Sequence, residues 1–211
     1  MKLTKYGHAC VRFDKGHHSL VVDPGKLTPE PGLLDGVETI LITHEHFDHF
    51  DPERLAMAVA ENPSITIYTC HGVAQHLESL PSRVHVVSHG ETLAVPGFDV
   101  RVVGTKHHRI HPDVPPIENV GFLIDGEVFH PGDALTVTNA PTLLVPGQAP
   151  WLNQIDLLTY IRAVRARRVY AIHDGLLNDW GLHMLDHLLQ SEAELQGAEI
   201  RRPAKGESIE V

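Results

Sequence analysis

Residues 38–55, with the sequence ETILITHEHFDHFDPERL, run from a β-favouring apolar segment into a cluster of histidine and acidic side chains. Four of those side chains, His44, His46, Asp48 and His49, fall within six positions. In an extended segment His44 and His46 point the same way, because side chains alternate with period two. That pair can hold one metal ion. Asp48 and His49 follow as the chain turns, and they offer an oxygen and a nitrogen to a second ion nearby.

The cluster is predicted to lie on a strand-to-helix loop. A helical zinc motif of the His-Glu-x-x-His type needs a second histidine four residues after His44, where this sequence has Asp48. Asp51 has the character of an N-cap and Pro52 that of a first helical residue, which predicts a helix over 52–61. The helix therefore begins after the cluster, and the helical zinc motif is excluded.

The bulk properties indicate a protein that acts on small molecules. The chain of 211 residues has a formal net charge of −10, which opposes attraction to nucleic acid or to an anionic membrane. Residues 1–20 lack the apolar core of a signal peptide, so a cytoplasmic location is expected. Its two cysteines, Cys10 and Cys70, are too few for a disulfide framework and are predicted to be buried thiols. The 17 histidines are spread along the chain, which makes metal chemistry worth testing.

Short apolar or alternating segments recur along the chain and predict strands, whereas helical patterns occur singly. Besides 52–61, helices are predicted over 72–80, near 154–165 and over 179–189. No linker, low-complexity tract or short repeat interrupts the pattern, so one domain over 1–211 is expected. Sheet layers with helices on the outside are the architecture that this alternation favours, an α+β fold.

Residues 43–49 resemble the His-x-His-x-Asp-His signature of the metallo-β-lactamase superfamily. The resemblance implies a four-layer αββα sandwich with a binuclear metal site along one edge of the sheets. It also requires a later histidine after a strand, then an aspartate, and then a last histidine. The sequence supplies these in order as His107, Asp133 and His173. The N-terminal YGHACVRF and the compact length look similar to the small single-domain branch that contains ascorbate-phosphate lactonase-like hydrolases.

The resemblance also implies a role for each ligand. His107 is the first residue past its strand, where the family places a ligand, and His111 is the alternative. His8 and His130 are predicted to support the ligands from behind. The implied ligands are His44, His46 and His107 for the first ion, Asp48, His49 and His173 for the second, and Asp133 as the bridge.

The implied chemistry is hydrolysis by a metal-bridging hydroxide, with Asp48 and Asp133 as the catalytic carboxylates. Imidazole and carboxylate ligands suit two divalent ions, with zinc as the first expectation and manganese or iron as alternatives. Family members with di-iron redox chemistry have Glu at the position of His46, which disfavours a redox role. The expected substrate is a small ester, lactone or phosphoester, with a phosphodiesterase and a non-catalytic metabolite sensor as alternatives. Residues expected to contact the substrate are His108, Arg109, His111 and Trp151.

Overall fold

The computed structural model describes residues 1–211 and contains two seven-stranded sheets. The strands of the first sheet are β1 (Lys2–Gly7), β2 (Cys10–Lys15), β3 (His18–Val22), β4 (Thr39–Ile42), β5 (Thr66–Thr69), β6 (Val84–Val86) and β14 (Ser208–Glu210), in the order β14-β1-β2-β3-β4-β5-β6. The strands of the second sheet are β7 (Thr92–Val95), β8 (Phe98–Val103), β9 (Gly121–Ile124), β10 (Val128–His130), β11 (Thr142–Pro146), β12 (Arg168–Ile172) and β13 (Glu199–Arg201), in the order β13-β12-β11-β10-β9-β8-β7.

Four α-helices flank these sheets. They are α1 (Pro52–Glu61), α2 (His71–Ala74), α3 (Gln154–Val164) and α4 (Asp179–Gln196), and a 3-10 turn (Gln75–Leu77) continues α2. None of these helices combines the length and the apolar character that crossing a lipid bilayer requires. The two mixed sheets with their flanking helices confirm the predicted α+β αββα sandwich.

The layering follows from strands whose two faces are both apolar. Along β11 and β12, Leu144 and Tyr170 pack into the core between the sheets, whereas their neighbours Leu143 and Val169 pack against α3 and α4. This alternation is the period of two that an extended chain imposes. Parallel strands that are covered on both faces are apolar throughout, as here.

The ends of the elements show where local sequence signals suffice. The helix predicted over 52–61 is confirmed, with the Asp51 side chain accepting a hydrogen bond from the Arg54 backbone N–H at 3.3 Å. The helix predicted over 72–80 is wrong in length, since α2 has only one turn before the 3-10 turn. The last helix extends past the predicted residue 189 to Gln196, and Gly197, whose φ is 63°, forms its left-handed C-cap.

Strand direction brings six loops to one edge of the molecule. In the first sheet β3 and β4 are parallel, and β1 runs the same way because β2 is antiparallel to both β1 and β3. In the second sheet β10 and β12 run in the same direction, because each pairs in parallel with β11. Strand β8 also runs in that direction, because β9 is antiparallel to both β8 and β10. The residues that follow these six strands include every predicted metal ligand.

Replacing Asp51 with Ala is expected to lower the free energy of unfolding by about 1 kcal/mol, because the first turn of α1 loses its cap. For a chain of this size the melting temperature should fall by roughly 2–4 °C. Thermal denaturation followed by circular dichroism measures the change. Asp51→Asn keeps a side-chain oxygen and serves as the control. An equal loss in both variants would contradict the capping role.

Candidate metal centre

Two groups of four side chains lie together at this edge. The first consists of His44, His46, His107 and Asp133, and the second consists of His8, Asp48, His49 and His173. Within each group the potential ligand atoms all lie within 4.8 Å of one another. Seven of the eight are the predicted ligands, and His8 is the addition. His44, His49, His107, Asp133 and His173 are all buried, whereas His46 and Asp48 are half-buried.

The local chain conformation separates the two groups. His44 and His46 leave β4 in an extended segment, and His44 Nε2 lies 3.1 Å from His46 Nδ1. The chain then turns, with the His49 and Phe50 N–H groups donating to the His46 carbonyl at 3.0 and 2.9 Å. That turn carries the Asp48 and His49 side chains away from the first group and into the second.

Asp133 lies between the two groups. Its Oδ1 is 3.1 Å from His49 Nε2, whereas its Oδ2 is 3.5 Å from His107 Nε2 and 3.3 Å from His173 Nε2. The Asp133 backbone N–H donates to Asn119 Oδ1 at 3.0 Å, which fixes the peptide that carries this side chain. One carboxylate therefore faces histidines of both groups, as the predicted bridging position requires.

The outer nitrogens of four histidines are held by oxygen atoms. Nδ1 faces Thr43 Oγ1 in His44, Asp23 Oδ2 in His49, the His108 carbonyl in His107 and the Gln148 carbonyl in His173. A carbonyl or carboxylate oxygen can only accept, and the Thr43 hydroxyl gives its own proton to Asp23, so in the neutral rings Nδ1 carries the proton and Nε2 presents its lone pair. Such outer hydrogen bonds orient metal-binding imidazoles and raise their basicity.

Asp23 anchors two of these rings. Its carboxylate is fully buried, and it accepts hydrogen bonds from the Thr43 N–H at 2.8 Å, the Thr43 hydroxyl at 2.7 Å and His49 Nδ1 at 2.6 Å. The Thr43 hydroxyl in turn accepts from His44 Nδ1 at 3.0 Å. One carboxylate at the end of β3 thus orients a histidine from each group.

The inner atoms of the cluster fit a metal. Nε2 of His49, His107 and His173 and Oδ1 of Asp133 are buried without a hydrogen-bond partner. Buried polar atoms in folded proteins nearly always have partners, and an ion is one of the explanations for those that do not. Imidazole nitrogens and carboxylate oxygens are ligand atoms that zinc, manganese and iron all bind. The cluster therefore has the composition and the orientation of a divalent-metal site.

Charge within the cluster keeps the carboxylates ionised. Burial opposes the charged form of Asp133, but the neighbouring His49 and His173 outweigh it and hold its pKa well below the usual range. The pKa of Asp48 is likewise lowered against burial, chiefly by the neighbouring imidazoles of His173 and His8. Burial also opposes protonation of His173, yet Asp133 and Asp48 raise its pKa to about 9. At neutral pH both carboxylates are anionic and can bind a cation.

The other predicted site residues divide into those at the cluster and those away from it. His130 is buried behind the cluster, where its Nε2 donates to the Ala9 carbonyl at 3.0 Å and lies 4.0 Å from Asp23 Oδ2. Its Nδ1 accepts from the Gly132 N–H at 3.2 Å, next to Asp133. His130 therefore supports the peptide of the central carboxylate and does not face the ligand atoms.

Trp151 and His108 lie beside the first group. Trp151 Nε1 donates to Asp133 Oδ2 at 3.0 Å, and its ring stacks at a tilt on His108 with centroids 4.9 Å apart. Arg109 and His111 are exposed, and their hydrogen bonds go to Pro112 and Asp113 in their own loop. Their predicted contact with substrate stays a prediction.

Three supporting residues were not predicted from the sequence, namely Asp23, Thr43 and Asn119. Asp23 follows a strand, as the ligands do, and this signal was available in SLVVDP. The sequence around Asn119 gives no such signal, because the role of Asn119 depends on the fold. Backbone strain marks the same region, because Asp23 and His173 have positive φ of 53° and 59°. Residues other than glycine persist in that conformation only where the surrounding structure enforces it.

Comparison with known proteins supports one family. The family model of the beta-lactamase superfamily domain matches residues 2–173. Protein Rv0786c of Mycobacterium tuberculosis is 35% identical over 84% of this chain and 85% of its own length. The metal-dependent hydrolase MJ1163 of Methanocaldococcus jannaschii is 26% identical over 99% of this chain and 100% of its own. The crystal structure of the metallo-β-lactamase fold protein YhfI from Bacillus subtilis superposes with a TM-score of 0.74 at 18% identity, covering 100% of this chain and 98% of that one.

A sandwich with a histidine and aspartate cluster at the edge of its sheets has the features of a metal-dependent hydrolase, and MJ1163 and other relatives are named as such. The chain belongs to the metallo-β-lactamase superfamily, as its motif at residues 43–49 predicts. The predicted enzyme class, a metal-dependent hydrolase, is confirmed with it.

Replacing Asp23 with Asn is expected to weaken metal binding about 10- to 100-fold, the usual cost of losing a partner of a metal-bound histidine. The amide keeps the size of the side chain but replaces one of the two accepting oxygens with an NH₂ group, so it cannot accept from the Thr43 N–H, the Thr43 hydroxyl and His49 Nδ1 at the same time. Competition against a chromophoric chelator measures the affinity. Asp35→Asn, at an acidic residue outside the cluster, is the control. Unchanged affinity in Asp23→Asn would contradict this role.

Proposed function

We propose that this protein is a binuclear metal-dependent hydrolase that acts on a small ester, lactone or phosphoester. One observation carries the proposal. Two groups of metal-binding side chains share the carboxylate of Asp133, and buried Nε2 atoms of three histidines face it without hydrogen-bond partners. A single ion cannot occupy both groups, whereas a pair of ions with a shared carboxylate uses every one of these atoms.

Each ligand has a position in this scheme. The first ion is assigned to the group that leaves β4 in extended conformation, completed by the histidine after β8. The second ion is assigned to the group at the turn before α1, completed by the histidine after β12. The proposed ligands are His44, His46 and His107 for the first ion, Asp48, His49 and His173 for the second, and Asp133 for both.

Bound divalent ions would lower the pKa of a water molecule and would polarise the carbonyl or phosphoryl oxygen of a substrate. The protein contributes orientation. Asp48 is a half-buried carboxylate with Oδ2 3.0 Å from His8 and 3.4 Å from His173. We assign it the additional role of accepting a hydrogen bond from the attacking water. Asp133 is held from the other side by the Trp151 N–H.

The donor set favours zinc over softer ions. All assigned ligands are imidazoles or carboxylates, which suit zinc and also manganese or iron. Thiolates would favour softer ions, but Cys10 and Cys70 are buried and pack in the hydrophobic core. We propose zinc, with manganese or iron as alternatives, and elemental analysis of the purified protein should find about two ions per chain.

Trp151 and His108 are the proposed substrate contacts. Their stacked rings lie beside Asp133, and His108 is half-buried. Together they form a flat, partly apolar surface next to the cluster, which suits the non-reacting part of a small substrate. The chain's net charge of −10 argues against polyanionic polymers as substrates.

A substrate panel tests the proposed function. The metal-loaded protein should hydrolyse at least one compound among lactones, carboxylic esters and phosphodiesters, and preference for the last would favour the phosphodiesterase. Absence of turnover throughout, together with tight binding of a small metabolite, would favour a sensor and overturn the hydrolase proposal.

Replacing Asp133 or His46 with Ala is expected to lower bound metal and turnover together, because each removes a ligand. The loss of Asp133 should be the larger, with both ions weakened and turnover reduced at least 100-fold. Metal content by mass spectrometry and initial rates on the best substrate measure the two effects. His17→Ala, at an exposed histidine, is the control. Full metal content and full turnover in Asp133→Ala would rule out its assignment.

Replacing Trp151 with Phe is expected to keep the stacking surface while removing the N–H that holds Asp133. The rate constant kcat should fall about 10-fold, since a carboxylate without this donor is less well oriented, and KM should change little. Trp151→Ala removes the ring as well and should raise KM. Steady-state kinetics of the two variants separate the roles. A rise in KM alone in Trp151→Phe would show that the N–H contacts substrate instead.

A further inference from the structure

His8 is the one member of the two groups that the assigned ligand set leaves out. It follows β1, is 2% exposed, and has a positive φ of 34°. Its ring lies against that of His173, with centroids 3.9 Å apart. By distance alone His8 qualifies as a fourth ligand of the second ion, because it falls within the same 4.8 Å limit as Asp48, His49 and His173.

The hydrogen bonds of the ring decide against ligation. His8 Nδ1 lies 3.0 Å from the backbone N–H of Gly175, which can only donate, so Nδ1 must present its lone pair there. A neutral imidazole has one lone pair and one N–H, and therefore Nε2 carries the proton. That N–H lies 3.0 Å from Asp48 Oδ2, which accepts it. Neither nitrogen of His8 has a lone pair left for a metal.

We propose that His8 is a positioning residue that donates to Asp48 and thereby directs the free oxygen of that carboxylate to the second ion. The inference rests on the binuclear centre proposed above. His8 then differs from the other histidines of the cluster in which ring nitrogen carries the proton. In His44, His49, His107 and His173 the proton is on Nδ1 and Nε2 faces inward, whereas in His8 the backbone reverses this arrangement.

The backbone around His8 fixes the reversal. The His173 N–H donates to the His8 carbonyl at 2.7 Å, which joins the end of β1 to the end of β12. Gly175 then approaches the ring so closely that a Cβ at this position would lie 3.0 Å from His8 Nδ1 and 3.2 Å from its Cβ. A side chain at residue 175 would press against the His8 ring, whereas glycine lets the backbone N–H reach Nδ1 without displacing that ring.

The tautomer can be observed directly. The protein with ¹⁵N-labelled histidine is loaded with ¹¹³Cd, and the nitrogen shifts and ¹¹³Cd–¹⁵N couplings are measured by NMR. His8 resonances are assigned by their loss in His8→Gln. We expect a proton on His8 Nε2 and no coupling to cadmium, with coupling at Nε2 of His44, His49, His107 and His173.

Metal affinity supplies the second readout. His8→Gln keeps an N–H near the position of Nε2, whereas His8→Ala removes it. His8→Ala should bind two cadmium ions at saturation, but the affinity for the second ion, which Asp48 binds, should fall about 10- to 100-fold. His8→Gln should recover most of that affinity. Measuring kcat and KM separately should show a fall in kcat with little change in KM.

The outcomes are distinguishable. Coupling at both His8 and the assigned ligands would overturn this inference alone, and His8 would then be a ligand. No coupling at His44, His49 or His173 would overturn the binuclear centre and this inference with it. Equal cadmium affinity in wild type, His8→Ala and His8→Gln would also overturn the positioning role. His17→Ala, at an exposed histidine, controls for the removal of an imidazole.

Discussion

The centre depends on one buried charge, the carboxylate of Asp23. An ionised carboxylate is costly to bury unless it is fully hydrogen-bonded, and this one is satisfied by the Thr43 backbone, the Thr43 hydroxyl and His49. Its donors come from the end of β4 and from the turn that follows. The requirement to satisfy Asp23 therefore fixes the path of the chain at the start of the histidine motif. Gly25 allows this packing, because a Cβ there would lie 2.2 Å from the Asp48 carbonyl group.

Each sheet supplies part of the ligand set. The first sheet carries the motif that follows β4, and the second carries His107, Asp133 and His173. The buried atoms without hydrogen-bond partners that meet between the sheets cost folding free energy, because they have given up their hydrogen bonds to water. Metal binding removes that cost, so the folding of the two sheets against each other and the filling of the centre are thermodynamically coupled. Functional sites commonly lower the folding stability of a protein in this way.

The sequence predicts those parts of the molecule whose causes are local. The start of α1 follows from Asp51 and Pro52, and the spacing within residues 43–49 indicates two metal-binding pairs. Features that depend on contacts between distant residues are harder to predict from the sequence. Gly132 has no local signal for its role, yet a Cβ there would meet Asn119 Oδ1 at 2.3 Å. The strands β7, β13 and β14 were not predicted from the sequence either, and each is an edge strand of three or four residues that pairs with a single neighbour.

The edge strand β14 determines when the outer edge of β1 becomes paired during synthesis. It pairs with β1, and the Thr4 and Ser208 side chains that hydrogen-bond across this pair are 204 residues apart. During synthesis the outer edge of β1 stays unpaired until residues 208–210 have left the ribosome. Contacts of such long sequence separation form slowly, and open strand edges are sites of intermolecular association. The nascent chain is therefore open to association along β1 for as long as β14 is missing, and β14 is the segment that ends that exposure.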